Sequence, residues 1–100
     1  MSKKVTIIGA GISSLSTAAF LGKAGYDVTI LEKNASIGGR ARQFEVDGFV
    51  FDMGPSWYWM PDVFEAFYNK FNYTTSDFYD LKRLDPSYAV FWQDGDKTNV

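Results

Sequence analysis

Three small residues and one carboxylate, held at fixed spacing, carry the chemistry of this 100-residue chain. Gly9-Ala10-Gly11-Ile12-Ser13-Ser14 has the form of a phosphate-binding turn, and Glu32 follows 21 residues after Gly11. Gly9 permits a sharp turn, and Gly11 lacks the Cβ that would keep a pyrophosphate away from the backbone. The anion then rests on N–H groups at a helix N-terminus. A carboxylate about 20 residues further on accepts hydrogen bonds from an adenosine ribose and repels a 2′-phosphate, which favours FAD or NAD over NADP. Ser14 stands where the pattern has its third glycine. Serine is small and can bond back to a carbonyl, so a slightly wider helix-to-strand spacing is expected.

These groups need two strands and a helix to position them. Val5-Thr6-Ile7-Ile8 and Val28-Thr29-Ile30-Leu31 are β-branched apolar runs, and between them a helix is predicted from about Gly11 to Ala24. Leu15, Ala18, Ala19 and Ala24, with Ile12, Phe20 and Leu21 alongside, give it a face to bury, and Lys23-Ala24-Gly25 supplies its stop. The loop Lys33-Asn34-Ala35-Ser36-Ile37-Gly38-Gly39-Arg40-Ala41 follows, with two glycines to free the backbone and an arginine able to reach an anion. Gln43 to Val46 and Phe49 to Phe51 flank Asp47-Gly48, a hairpin with a favoured two-residue turn. A hairpin cannot be a parallel crossover, so the alternation of strand and helix typical of nicotinamide dehydrogenases is interrupted there, which points to FAD over NAD.

Asp52-Met53-Gly54-Pro55-Ser56 then turns the chain, and Trp57-Tyr58-Trp59-Met60 follows without alternation. Pro61 and Asp62 open a second predicted helix, in which Val63, Phe64, Phe67, Tyr68 and Phe71 fall at helical spacing. Tyr73 to Arg83 reads as polar and unpatterned. A strand is expected over Ser87 to Trp92, with its returning partner beginning after the turn signal Asp94-Gly95. The fold class is therefore α/β: a Rossmann-like FAD-binding βαβ unit with an inserted β-hairpin, read as the incomplete N-terminal part of a larger two-domain oxidoreductase. Within it, residues 1–42 hold the dinucleotide fingerprint and the glycine-arginine loop. Residues 43–100 hold the hairpin, a helix and the start of a substrate-side region.

Composition narrows the function further. A net charge of −2 without a basic cluster argues against nucleic acid as partner. No cysteine means no disulfide framework or thiolate metal site, and no histidine means that neither a Ser-His-Asp triad nor a histidine-bound metal can be assembled. Lys3 and Lys4 before an apolar stretch imitate a secretory signal. Gly9, Gly11, Ser13, Ser14, Ser16 and Thr17 interrupt its apolar centre, so a cytoplasmic location is expected.

The glycine turn answered by Glu32, Gly38-Gly39-Arg40-Ala41, Phe51-Asp52-Met53-Gly54-Pro55-Ser56 and Leu84-Asp85-Pro86-Ser87-Tyr88 together resemble the N-terminus of bacterial carotenoid desaturases of the phytoene desaturase type. These belong to the flavin amine oxidase superfamily. The first two motifs are shared across the superfamily, and the last two point more narrowly. The resemblance spans nearly all of the chain, while members of the family are several times longer. It implies FAD as cofactor, an apolar carotenoid substrate and peripheral membrane association of the parent. It also implies roles: Gly9, Gly11 and Ser14 at the pyrophosphate, Glu32 at the ribose, Gly39 and Arg40 at the diphosphate and the approach to the flavin, and Gly54, Pro55 and Ser56 near the isoalloxazine, with their neighbours Ala10, Ile12, Ser13, Lys33, Gly38 and Ala41 counted among the cofactor-binding residues. It assigns no catalytic acid or base. Two alternatives stand beside it: an amine or protoporphyrinogen oxidase of the same superfamily, and an inactive fragment that binds ADP or FAD.

Other residues admit plainer readings. Trp57 to Met60 suits either a polyene channel and membrane-facing entry or ordinary core. Phe64, Phe67 and Phe71 suit a buried helix face. Asp52 suits a turn-stabilising role more than a catalytic one. Asp77, Asp80, Lys82 and Arg83 form a solvated stretch.

Overall fold

Alternating β-branched residues pair two strands side by side. In the computed structural model, which describes residues 1–100, β1 (Lys4–Ile8) and β2 (Asp27–Leu31) run parallel, with Val5 opposite Val28 and Ile7 opposite Ile30. A parallel pair needs a crossover, here the helix α1 (Ile12–Lys23), which packs against both strands. Val5, Ile7, Val28 and Ile30 on the strands, and Leu15, Ala18, Ala19 and Leu21 on the helix, are half-buried. The alternate strand positions Thr6, Ile8, Thr29 and Leu31 are exposed, Ile8 by 78 % and Leu31 by 53 %. The sheet thus has one covered face and one bare one.

Both ends of α1 follow from sequence. Gly25, at φ +87°, ends it: its N–H donates to the Gly22 carbonyl and that of Tyr26 to the Leu21 carbonyl, the paired bonds of a Schellman stop. At the start, the hydroxyls that bond back to a carbonyl are those of Ser16 and Thr17, both to Ser13.

The hairpin forms as predicted, from β3 (Gln43–Val46) and β4 (Phe49–Asp52). Asp47 and Gly48 both have positive φ, 51° and 79°, the requirement of the turn whose twist matches the strands. Phe44 and Phe51 face each other with stacked rings 5.1 Å apart, and Gln43 Nε2 donates to Asp52 Oδ1 at 2.8 Å across the open end. Asp52 thereby closes the hairpin. All these elements belong to the first of two compact units, Met1–Tyr58.

The second unit, Trp59–Val100, is described on its own. Helix α2 (Pro61–Asn69) starts at the predicted proline, with Asp62 in its first turn. Phe64 and Phe67 on α2 are half-buried, as is Phe71, which lies just past the end of the helix, so the expected helix face is only partly covered. Tyr73 to Arg83 differs from its polar, unpatterned reading. Tyr68 stacks on Phe78 at 4.7 Å and meets Tyr79 edge-on, while Tyr73 meets Phe78 at 5.4 Å. Tyr73, Phe78 and Tyr79 lie on an irregular segment around a short 3-10 turn, Thr75–Asp77, so no helical or strand period announces them. Thr74 N–H donates to Asp77 Oδ2 at 2.8 Å, and Glu65 Oε2 accepts from the Thr75 N–H and hydroxyl at 3.0 and 2.7 Å. The hydroxyl and then the N–H of Thr75 hold the Glu65 carboxyl below its ordinary range.

Strand β5 (Ala89–Phe91) pairs antiparallel with β6 (Lys97–Asn99) around the Asp94-Gly95 turn. Beyond the shorter strand, Ser87 N–H to Val100 O and Trp92 N–H to Asp96 O continue the pairing across the predicted range. Trp57, Tyr58, Trp59 and Met60 are exposed in this chain, by 38 to 71 %, and the core reading of that run does not hold within it. No helix is long and apolar enough to cross a membrane.

Candidate functional site

Ala10 is the one hydrophobic residue fully buried, 2 % exposed, and its backbone explains why. Its N–H donates to Glu32 Oε2 at 2.7 Å, and its carbonyl accepts from the Gly38 N–H at 2.8 Å. Gly9 N–H donates to the Leu31 carbonyl at 2.7 Å, carrying the β1–β2 pairing into the turn. The glycine turn is therefore clasped by the end of β2 and by the second glycine loop. Residues that only sequence spacing had linked meet in one place.

Glu32 is half-buried and heavily engaged. Besides Ala10, it accepts from Asn34 N–H and from Asn34 Nδ2, both at 2.8 Å on Oε1. The Asn34 N–H, then the Ala10 N–H, hold its carboxyl below the ordinary range; the Asn34 amide and Lys33 N–H add smaller pulls, against a partial loss of solvation that acts the other way. Lys33 itself is exposed. Asn34 did not figure among the candidate site residues. An asparagine two residues beyond a carboxylate, able to fold back on it in a local turn, was the available signal.

The second loop lies hard against the first. Gly11 and Gly38 form a parallel bridge, and Gly39, at φ +61°, comes so close that a Cβ there would stand 3.2 Å from the Gly11 Cα. The 3-10 turn Gly39–Ala41 carries Arg40, whose side chain is exposed. The third predicted segment joins at Gly54: with φ +134°, a Cβ would collide with the Arg40 carbonyl oxygen. Met53 N–H donates to the Arg42 carbonyl at 2.8 Å, and Arg42 Nε approaches Met53 Sδ at 3.4 Å. Pro55 and Ser56 continue the turn as exposed residues with no such anchor.

Gly11 behaves differently from Gly39 and Gly54. A Cβ built on Gly11 meets no heavy atom within 4 Å. Space is open just where Ile12, Ser13 and Ser14 begin α1, the helix N-terminus has no side-chain cap, and its first turn holds no acidic residue. The first N–H groups of a helix lack intrahelical partners and carry the positive end of its dipole. Open space, uncapped donors and a first turn without acidic residues fit the diphosphate of an adenine dinucleotide, with Glu32 at the edge for the ribose.

Comparison with known proteins gives a consistent picture. Residues 7–72 match the family described as the NAD(P)-binding Rossmann-like domain. The chain is 58 % identical over 96 residues to the carotenoid 3,4-desaturase of Haloarcula japonica, and 41 % identical over 96 residues to the 4,4'-diapophytoene desaturase (4,4'-diaponeurosporene-forming) of Staphylococcus haemolyticus. Each match covers 96 % of this chain and 19 % of the relative, so the chain spans about a fifth of the length of these curated relatives. Among solved structures, a putrescine oxidase bound to putrescine matches 100 % of this chain and 22 % of its own, with a TM-score of 0.63 at 26 % identity.

Proposed function

Since this chain belongs to the NAD(P)-binding Rossmann-like domain family, we propose that it is the coenzyme-holding part of an FAD-dependent oxidoreductase that desaturates a carotenoid precursor such as phytoene. The observation that carries the coenzyme reading is the 2.7 Å bond from Ala10 N–H to Glu32 Oε2. It fixes a carboxylate at the lip of an open, uncapped helix N-terminus, where one end of an ADP group needs an acceptor and the other needs donors. FAD is preferred to NAD because the β3–β4 hairpin takes the place of the next helical crossover, and because the desaturase similarity covers nearly the whole chain.

In this reading Gly9, Ala10, Gly11, Ile12, Ser13 and Ser14 cradle the diphosphate. Glu32 and Lys33 border the ribose, Gly38, Gly39, Arg40 and Ala41 close the second side, and Gly54, Pro55 and Ser56 lie toward the isoalloxazine. FAD, when bound, would accept the two electrons that leave, with two protons, as a carbon–carbon single bond becomes double. The residues of this chain bind, orient and keep water from the cofactor. We assign none of them as a catalytic acid or base. The substrate is apolar and is drawn from a membrane by a protein that works from the cytoplasmic side.

The test is expression of the full-length protein in cells that accumulate phytoene. More conjugated, coloured products are expected; colourless extracts with unchanged phytoene would refute desaturation. The likeness to putrescine oxidase supports a second reading, amine oxidation. Peroxide release on addition of an amine, without any change in carotenoids, would select it.

A further inference from the structure

The lone pairs of Glu32 are nearly used up within the chain. Oε1 takes two donors, the N–H and Nδ2 of Asn34, at 2.8 Å each, and Oε2 takes the Ala10 N–H at 2.7 Å. A carboxylate offers about four acceptor positions in all. One remains, on Oε2, whereas a ribose presents two neighbouring hydroxyls. From this shortage we infer that Asn34 is the second half of the ribose site. One hydroxyl donates to Glu32 Oε2, and the other donates to Asn34 Oδ1, the acceptor of the amide whose nitrogen is tied to the same carboxylate. The inference rests on the placement of the ribose at Glu32 proposed above.

The geometry also explains why an asparagine serves. Its Nδ2 must donate to the carboxylate while its Oδ1 faces the sugar, and one planar amide does both. An aspartate would bring a second negative charge against Glu32, and an alanine would keep the backbone N–H bond to Oε1, lose the Nδ2 one and leave one hydroxyl without its partner. Asn34 is exposed, so it can meet a ligand without rearrangement of a core.

The experiment measures competition against FAD on the full-length apoprotein, with ADP, 2′-deoxy-ADP and 3′-deoxy-ADP as competitors, for the native protein and for Asn34→Ala. Each missing hydroxyl is expected to weaken binding to the native protein about tenfold, the scale of one hydrogen bond to a charged or strongly polar partner. In Asn34→Ala, one of the two penalties should fall to near unity while the other persists. Asn34→Asp should weaken ADP itself. If both penalties survive in Asn34→Ala, Asn34 does not touch the ribose. If both vanish together, it only steadies Glu32, and the assignment is equally overturned. Native protein that binds ADP with neither penalty would instead sink the placement of the ribose, and with it this inference.

Discussion

Gly11→Ala separates folding from coenzyme binding. Gly11 has φ −78° and ψ 173°, extended backbone that alanine adopts without strain, and its new Cβ would meet no heavy atom within 4 Å. Two small effects act on stability. Alanine narrows the unfolded ensemble, a gain of about 0.4–1 kcal/mol. It is also a poorer N-cap than glycine, a loss of roughly the same size. The unfolding midpoint in urea should therefore move little. Binding is another matter, because the methyl group would stand where a diphosphate must approach the first N–H groups of α1. Loss of one hydrogen bond to a charged group costs about 1.5–3 kcal/mol, or roughly 10- to 150-fold in Kd. Titration of the full-length apoprotein with FAD and with ADP, followed by fluorescence, should show both ligands weakened by similar factors. A folded variant with native affinity would mean that the phosphates do not lie at Gly11.

The other glycine substitutions should act on the fold. Gly54→Ala, at φ +134° against the Arg40 carbonyl oxygen, should cost about 1–3 kcal/mol from backbone conformation before any steric shift; a native denaturation midpoint would contradict the packing described. Gly48→Val, at φ +79° in the hairpin turn, should cost about 1–2 kcal/mol in the same assay. Glu32 sets the response to acid. Its carboxyl is held below 4.5 in the folded chain, so its contribution is fully present above that value and is lost as pH falls through the lowered one. FAD affinity should stay level on this account from neutral pH down to about 5 and weaken only in stronger acid. Glu32→Gln, measured by the same titration, should already be weak at neutral pH and lack this acid limb.

Local chemistry made most of the fold legible. Gly25 stops α1, Asp47-Gly48 turns the hairpin and Pro61 opens α2, each because a single residue type suits a backbone state that its neighbours do not. The pairing of Glu32 with the glycine turn was legible too, since a parallel βαβ unit brings the end of β2 beside the end of β1. Less visible was the reason for Gly39 and Gly54. Their spacing marked a flexible loop and a turn, but the close approach of Gly39 to Gly11, and of Gly54 to Arg40, depends on segments far apart in sequence. Asn34 was missed for the opposite reason. Its bonds to Glu32 are local, yet asparagine in a loop is too common to single out by type. The stacking of Tyr68 on Phe78 required a path through an irregular segment that no periodicity describes.

The clasp on Ala10 bears on the order of events during synthesis. Its N–H is taken by a residue 22 positions later and its carbonyl by one 28 positions later. A nascent chain that has released β1, α1, β2 and Glu32 from the ribosome has the strand–helix–strand unit but lacks half of the fastening. If the turn holds FAD as proposed, the shortest emerging segment with the complete clasp reaches Gly38 and is longer than the strand–helix–strand unit itself.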